Sequence, residues 1–502
     1  MSATKPLGAE ARARRRLALP TNWMLGAIVL VGAAVRFPTI GTQSFWYDEA
    51  VTRGIVFHGL GHVISTVPAT ESTPPLYYVL LWVWSRVFGT SEAGLRSFSA
   101  LAGLLVLPVM WELGRRLISE RVGQAAALLA AVSPLLFWYS QEARAYSLLT
   151  LLSALSLLAM LRAIEHPERG RLLVWGLCCA LALCTHYFAV FVVVPEALWL
   201  IFRLRRSREV TITRLASGLA PIVIMAVALA PLLIHQNDGR ASVLATSGGS
   251  VPYRLASLAR QDIVAFGQPA KAAVNALAGV FVVAALALLA FRARLEGRRA
   301  ALWPLAIGLG GVILALVVSL ASTNYFETRN LLPTWPALAL VIALGCAAEG
   351  VGRLGSATLA GLALVSVACV IGVIRDPVLQ RPDWRGVSQA LGAPAAAQVI
   401  IGDRLSRESL TPYMPALGRY PGSGAAVSRV EVIDPVATDE SLPKTTSLSG
   451  FQLVRTLQTS SYTLRTYASS TPQRPSVAAL LAIGPKAPRD RAMVQRARAP
   501  HP

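Results

Sequence analysis

With 502 residues, 54% of them hydrophobic and only 15% charged, and a mean hydropathy of +0.54, the chain carries too little charge for a soluble globular protein, where about a quarter is usual. Its formal net charge of +21 collects in short loops and tails, "ARARRR" (11–16), "GRRLISER" (114–121), "RLRRSR" (203–208) and "FRARLEGRR" (291–299). That is the positive-inside pattern of a polytopic membrane protein and excludes a nucleic-acid-binding face.

Residues 1–21 read as a basic cytoplasmic tail, with no small-residue cleavage site in the apolar run that follows. Span 1 (22–40) leaves the cytoplasm, so "SFWYDEA" (44–50) emerges on the outer side at the start of a first outer loop, 41–94. Within that loop, the aromatic run 74–89 has only 16 residues and opens on two prolines; if it spanned, the later basic loops would fall on the wrong side, so it is assigned to the interface. Spans then follow at 95–114, 122–139, 146–163, 172–187, 188–203, 214–234, 272–291, 302–322, 330–347 and 357–375, eleven in all (range 10–13). The fold class expected is an all-α polytopic membrane domain over 22–375, with interfacial helices in its first outer loop.

Composition changes after residue 375. "AAQVIIGD" (396–403) and "SYTLRTY" (461–467) read as strands and "DWRGVSQAL" (383–391) as a helix capped by Asp383, giving a small extracytoplasmic α/β domain over 376–470. The Ser/Pro/Arg-rich remainder, 471–502, is expected to be a disordered tail. Cys178, Cys179, Cys184, Cys346 and Cys369 all lie inside apolar runs, without metal-ligand spacing, and read as small core hydrophobes.

Under this topology polar residues gather on one face, at helix ends, where ionisable groups are costly and are functional candidates. The adjacent acids Asp48 and Glu49 are suited to general-base work, since a carboxylate beside a second one in a partly desolvated loop holds its proton more tightly. The plainer reading is that Asp48 caps a helix beginning at "YDEA". Arg144 in "YSQEARAY" is a candidate anion ligand, although an ion pair with Glu142 or another loop acid, closing a helix junction, would account for it as well; Arg96 at the outer start of the second span and Arg329 at the start of the tenth are further candidate cations for the same anion. Tyr47, Glu71, Tyr77, Glu142, Tyr146, His186, Tyr187, Tyr325 and Asn330 complete the candidate substrate cavity, and Glu71 with His186 is a thin candidate for a divalent metal; no other cofactor is implied. Neither a glycine-rich phosphate loop nor a nucleotide-binding fingerprint is present.

"SFWYDEA", "STPPLYYVLLWVWSRVFGTSEAGLRSFSAL", "YSQEARAYSLL", "THYFAVF", "TRNLLPTWPALAL" and "RPDWRGV", in that order, resemble the family 39 glycosyltransferases, GT-C-fold enzymes that include protein O-mannosyltransferases and lipid A aminoarabinose transferases. The resemblance covers residues 22–390. It implies transfer of a sugar, mannose-like or another hexose or pentose, from a polyprenyl-phosphate carrier to a hydroxyl of a lipid, polysaccharide or protein, at the outer face of the cell (inner) membrane. It maps the catalytic base to Asp48 with Glu49 beside it. Arg96, Arg144 and Arg329 fall to the carrier phosphate, with Glu142 and Tyr146 turned towards the cavity. One departure stands out: relatives place a histidine or lysine before the double proline, where this chain has Thr73. The competing reading is a polytopic lipid or solute transporter (a flippase) using the same charged cavity, weakened by the absence of an internal repeat and by the concentration of charge on one face. A third is a catalytically silent membrane scaffold whose outer domain binds partners.

Overall fold

The computed structural model describes residues 23–207, 211–238, 251–267, 269–321, 325–394, 396–403, 405–421, 423–435, 447–484 and 492–496. Each expected span meets a helix. Among the described residues, eight helical segments are long and apolar enough to cross a bilayer: Glu92–Leu117, Tyr146–Glu165, Tyr187–Arg205, Thr213–Gln236, Lys271–Phe291, Leu295–Ala321, Thr328–Ala347 and Gly352–Arg375. Two others are shorter, Trp23–Arg36 and Arg169–Thr185. The expected third span is a broken one, Glu120–Val132 and Pro134–Ser140, bent by 54°. The protein is a multi-pass membrane protein.

Local sequence explains these boundaries. Ser91 accepts a hydrogen bond from Gly94 N–H at 3.1 Å and so opens the helix Glu92–Leu117, while Ser119 does the same for Val122. At the bend, Ser133 caps a new helix by accepting from Leu136 N–H at 3.3 Å, with Pro134 at its first position, where a proline has no amide to leave unpaired. The carbonyls released by the break at Ala130 and Ala131 are taken by the wholly buried Arg36, from the first span, at 2.9 and 2.7 Å. Small residues let helices approach closely: a Cβ added at Gly176 would stand 2.0 Å from the Gly218 carbonyl oxygen.

The run 74–89 becomes the helix Leu76–Phe88, 13 residues and about 20 Å long, short of the roughly 30 Å of a hydrocarbon core. It packs with the helices Tyr47–Phe57 and Leu60–Thr70 over Val56, Val63, Val67, Tyr77, Tyr78 and Leu81. Its interfacial assignment therefore fits its length.

The C-terminal region is a six-stranded sheet, β1 (Gln398–Ile401), β2 (Leu417–Arg419), β3 (Val427–Pro435), β4 (Gln452–Gln458), β5 (Tyr462–Gln473) and β6 (Ala492–Gln495), in the order β2-β6-β1-β3-β5-β4. β1 and β3 run parallel and the remaining pairs antiparallel. The helix Trp384–Leu391, capped as expected by Asp383 (Oδ1 to Gly386 N, 2.9 Å), covers one face through Trp384, Val387 and Leu391 on Ile400, Ile433 and Met493. The helix Val477–Ile483 covers the other through Leu480 and Ile483. The expected domain end at 470 and disordered tail are corrected over the described residues: β5 runs to Gln473, and β6 sits inside the sheet between β1 and β2, while residues 485–491 and 497–502 of that expected tail lie outside the described residues. β6 is an apolar run of only three residues, Ala492, Met493 and Val494, ahead of Gln495, too short to stand out in the sequence, and pairing with β1 and β2 makes it a strand.

Candidate active site

The two acids of "SFWYDEA" have opposite fates. Trp46 precedes the helix Tyr47–Phe57, and Glu49 reaches back to accept from Trp46 N–H at 3.4 Å, covering one otherwise unpaired amide at the helix start. The Glu49 carboxylate also receives Arg96 Nε at 2.7 Å, Arg96 Nη2 at 2.6 Å and Ala143 N–H at 2.8 Å, which fills its four acceptor positions. Both side chains are fully buried. Arg96 spends its other hydrogens on the carbonyls of Ile40, Gln43 and Ser44 at 3.2, 2.8 and 2.9 Å, so all five N–H groups are engaged. Arg96 is thus no phosphate ligand and Glu49 no base: the pair is a clasp that shapes the loop carrying Asp48.

Asp48, in the first turn of that helix, is half-buried. Among the described residues, no hydrogen bond or ion pair engages its carboxylate. It lies within electrostatic range of Arg144, Arg329, Glu142 and Tyr146. Arg144 stands in the short loop between the broken span and the helix Tyr146–Glu165. One of its nitrogens, Nη1, meets Tyr78 OH at 2.9 Å, Glu71 Oε2 at 3.0 Å and Thr52 Oγ1 at 3.2 Å. These anchors fix the guanidinium plane, while Nε and Nη2 have no partner among the described residues. Thr73, where relatives carry a cation, donates to Tyr78 OH at 3.3 Å.

Beside this centre opens a cavity of about 530 Å³. Trp46, Trp138, Tyr139, Tyr146, Phe266 and Phe326 give it aromatic walls, and Glu142, Arg254, Gln261, Glu327, Arg329 and Arg381 its polar groups. Glu142 pairs with Arg381 at 3.0 Å, and that guanidinium lies over the Trp138 ring, 4.3 Å from its centroid. Arg329 pairs with Glu327 at 2.8 Å and stays partly exposed. The second Glu142 oxygen, Oε1, and the Trp46 indole N–H are buried without partners among the described residues. Burial pushes the Glu142 carboxyl up to about 7, against the pull of Arg381.

That shift has a measurable consequence. Between an unfolded carboxyl value of about 4.3 and a folded one of about 7, the folded state holds a proton that the unfolded state has released. Stability is therefore expected to fall as pH rises through that window, and Glu142→Gln should flatten the dependence in thermal unfolding of the detergent-solubilised protein.

Of the other expected cavity residues, Tyr146 lines the cavity, whereas Tyr47, Tyr77, Tyr187, Tyr325 and Asn330 do not. Tyr77 is fully buried against Ser99 (3.3 Å), Tyr187 donates to Gln236 at 2.9 Å, Asn330 donates to the Tyr325 carbonyl at 2.7 Å, and Tyr325 packs on Phe188. His186 stacks on Phe188 and on Tyr146, and burial with the nearby Arg144 and Arg329 drives its imidazole down to about 3.

The metal pairing of Glu71 and His186 does not fit. Glu71 is taken by Arg144, and no group of three His, Cys, Asp or Glu side chains suited to a metal exists among the described residues. Two arginines also impose a positive field on the imidazole.

Arg381, Arg254, Trp46 and Trp138 were absent from the sequence candidates. "RPDWRGV" carried a signal for Arg381, but nothing local says that it folds back on Glu142, 239 residues earlier.

Residues 72–235 match the family model described as dolichyl-phosphate-mannose-protein mannosyltransferase. Among solved structures, ArnT from Cupriavidus metallidurans bound to undecaprenyl phosphate superposes with a TM-score of 0.52 at 14% identity, covering 89% of this chain and 98% of that one. Its apo state gives 0.52 at 15% identity, over 79% and 85% of the two chains. No curated protein matches the chain in sequence. The resemblance to the family 39 glycosyltransferases is therefore met twice, by their mannosyltransferase model over residues 72–235 and by the GT-C fold over most of the chain.

Proposed function

We propose that the protein is an inverting glycosyltransferase that moves a sugar from a polyprenyl-phosphate carrier to an acceptor hydroxyl on the outer side of the membrane. The observation that carries this reading is the Asp48 carboxylate, unengaged among the described residues, within electrostatic range of Arg144 and of Arg329, Glu142 and Tyr146, three residues that line an aromatic cavity. The undecaprenyl phosphate held by the similarly folded ArnT supports the donor class.

The chemistry asks for two things. As the bond between the anomeric carbon and the carrier phosphate breaks, the phosphate gains a negative charge. Arg144, anchored through Nη1, presents its Nε and Nη2 hydrogens to that charge, with Arg329 adding a second cation across the site. As the acceptor oxygen bonds to the anomeric carbon from the opposite side, its proton passes to the Asp48 carboxylate. One displacement inverts the anomeric centre. Aromatic walls suit the apolar faces of a sugar ring, and Glu142 and Gln261 offer acceptors to its hydroxyls.

The test is transfer of radiolabel from polyprenyl-phosphate sugars to envelope lipids, glycans or proteins by the purified protein in nanodiscs. Carrier crossing the bilayer with its sugar bond intact would replace this reading by a transporter. Arg144→Ala should lower kcat by about 10²–10³-fold. Glu71→Gln, which keeps the Arg144 guanidinium and a hydrogen-bonding oxygen, should cost far less in the same assay, separating phosphate contact from disruption of the pair.

A further inference from the structure

The C-terminal domain reaches back to the stretch that carries Asp48. Ser44 Oγ donates to the Pro382 carbonyl at 3.0 Å and accepts from Trp384 N–H at 2.9 Å. Phe45 N–H donates to the Tyr413 hydroxyl at 2.7 Å, and that hydroxyl donates to Glu92 Oε1 at 2.6 Å. Arg385 Nη2 reaches the same Glu92 oxygen at 2.6 Å and the Gly41 carbonyl at 3.2 Å. These contacts leave from two separate parts of the domain, 381–385 and Tyr413, and land on 41–45 and on the head of the helix Glu92–Leu117. Arg96 grips the same stretch from the bundle side, through the carbonyls of Ile40, Gln43 and Ser44.

We infer that the C-terminal α/β domain is a positioning element of the reaction site, in which Tyr413, held by Glu92 beside Arg385, fixes the backbone at Phe45 and so the direction of Asp48. The inference rests on the proposed role of Asp48. Phe45 is three residues before Asp48, and between them only Trp46 and Tyr47 complete the turn into the helix, so slack at Phe45 is passed to the carboxylate. A displacement of about 1 Å at a reacting group is enough for a large loss of rate, and no substrate contact need change. Tyr413 is half-buried and makes both its bonds through one oxygen. Tyr413→Phe removes both bonds and leaves the ring packing in place.

The test uses the full-length protein in nanodiscs, with Tyr413→Phe and, as an independent variant, Ser44→Ala. Amide exchange of Phe45 and Trp46 should quicken by about tenfold in each variant. kcat should fall by about tenfold with an unchanged donor KM. In an Asp48→Asn background the same substitution should add nothing, because the group being aimed is gone. Unchanged exchange at 45–46 overturns the inference, as does a Tyr413→Phe loss that persists undiminished in the Asp48→Asn protein. If the wild-type protein transfers no sugar, the functional reading fails and the exchange measurement still decides whether the domain holds the loop.

Discussion

Asp48→Asn should lower sugar transfer by about 10²–10⁴-fold while leaving the thermal unfolding midpoint unchanged, as measured on the purified protein with a polyprenyl-phosphate sugar donor. The size follows from what is lost. An amide cannot take the acceptor proton, so the incoming oxygen must attack as a neutral hydroxyl or shed its proton to water. The stability half of the expectation follows from the carboxylate's surroundings, since no hydrogen bond or ion pair among the described residues engages it. The amide at the start of the helix Tyr47–Phe57 does not depend on it either, because Glu49 accepts from Trp46 N–H. Donor KM should move little, as phosphate contact belongs to the arginines. A variant that retains wild-type kcat would remove Asp48 from the reaction altogether.

Glu49→Ala should act in the opposite way, through folding. It strands Arg96 fully buried with only carbonyl partners, and removal of one member of such a pair is expected to cost about 3–5 kcal/mol. The unfolding midpoint should drop sharply, and activity should fall both with the folded fraction and because the loop carrying Asp48 loses its clasp. Replacing both residues together, Glu49→Leu with Arg96→Met, should cost less than Glu49→Ala alone, because no charge is then left uncompensated. Two neighbouring carboxylates would thus be told apart by the midpoint, unchanged in Asp48→Asn and lowered in Glu49→Ala. Equal and unchanged midpoints for Asp48→Asn and Glu49→Ala would contradict the clasp.

The membrane helices were readable in the sequence because hydropathy and basic loops act locally, and every expected span meets a helix. Ser91, Ser119 and Asp383 mark helix starts by the same local logic. What escaped depends on partners distant along the chain. Arg96 and Glu49 are 47 positions apart, and each alone reads as a free charge near a helix start. Only the fold shows that they neutralise one another and that Asp48 is the acid left over. Arg381 escaped for the same reason, and β6 because a run of four residues is too short to read as a strand without its neighbours. The supposed metal ligands Glu71 and His186 failed for want of a third ligand and because Glu71 already has Arg144.

The plug that Arg36 makes in the broken helix bears on how the bundle holds together. The carbonyls at Ala130 and Ala131 are deprived of amide partners by the turn at Ser133, and in lipid each would resist burial until some donor arrived. That donor is supplied by the helix Trp23–Arg36, more than ninety residues upstream, so the bend at Ser133 has its backbone satisfied only when that helix lies alongside. One guanidinium thus ties the packing of the first described helix to the shape of a break far along the chain.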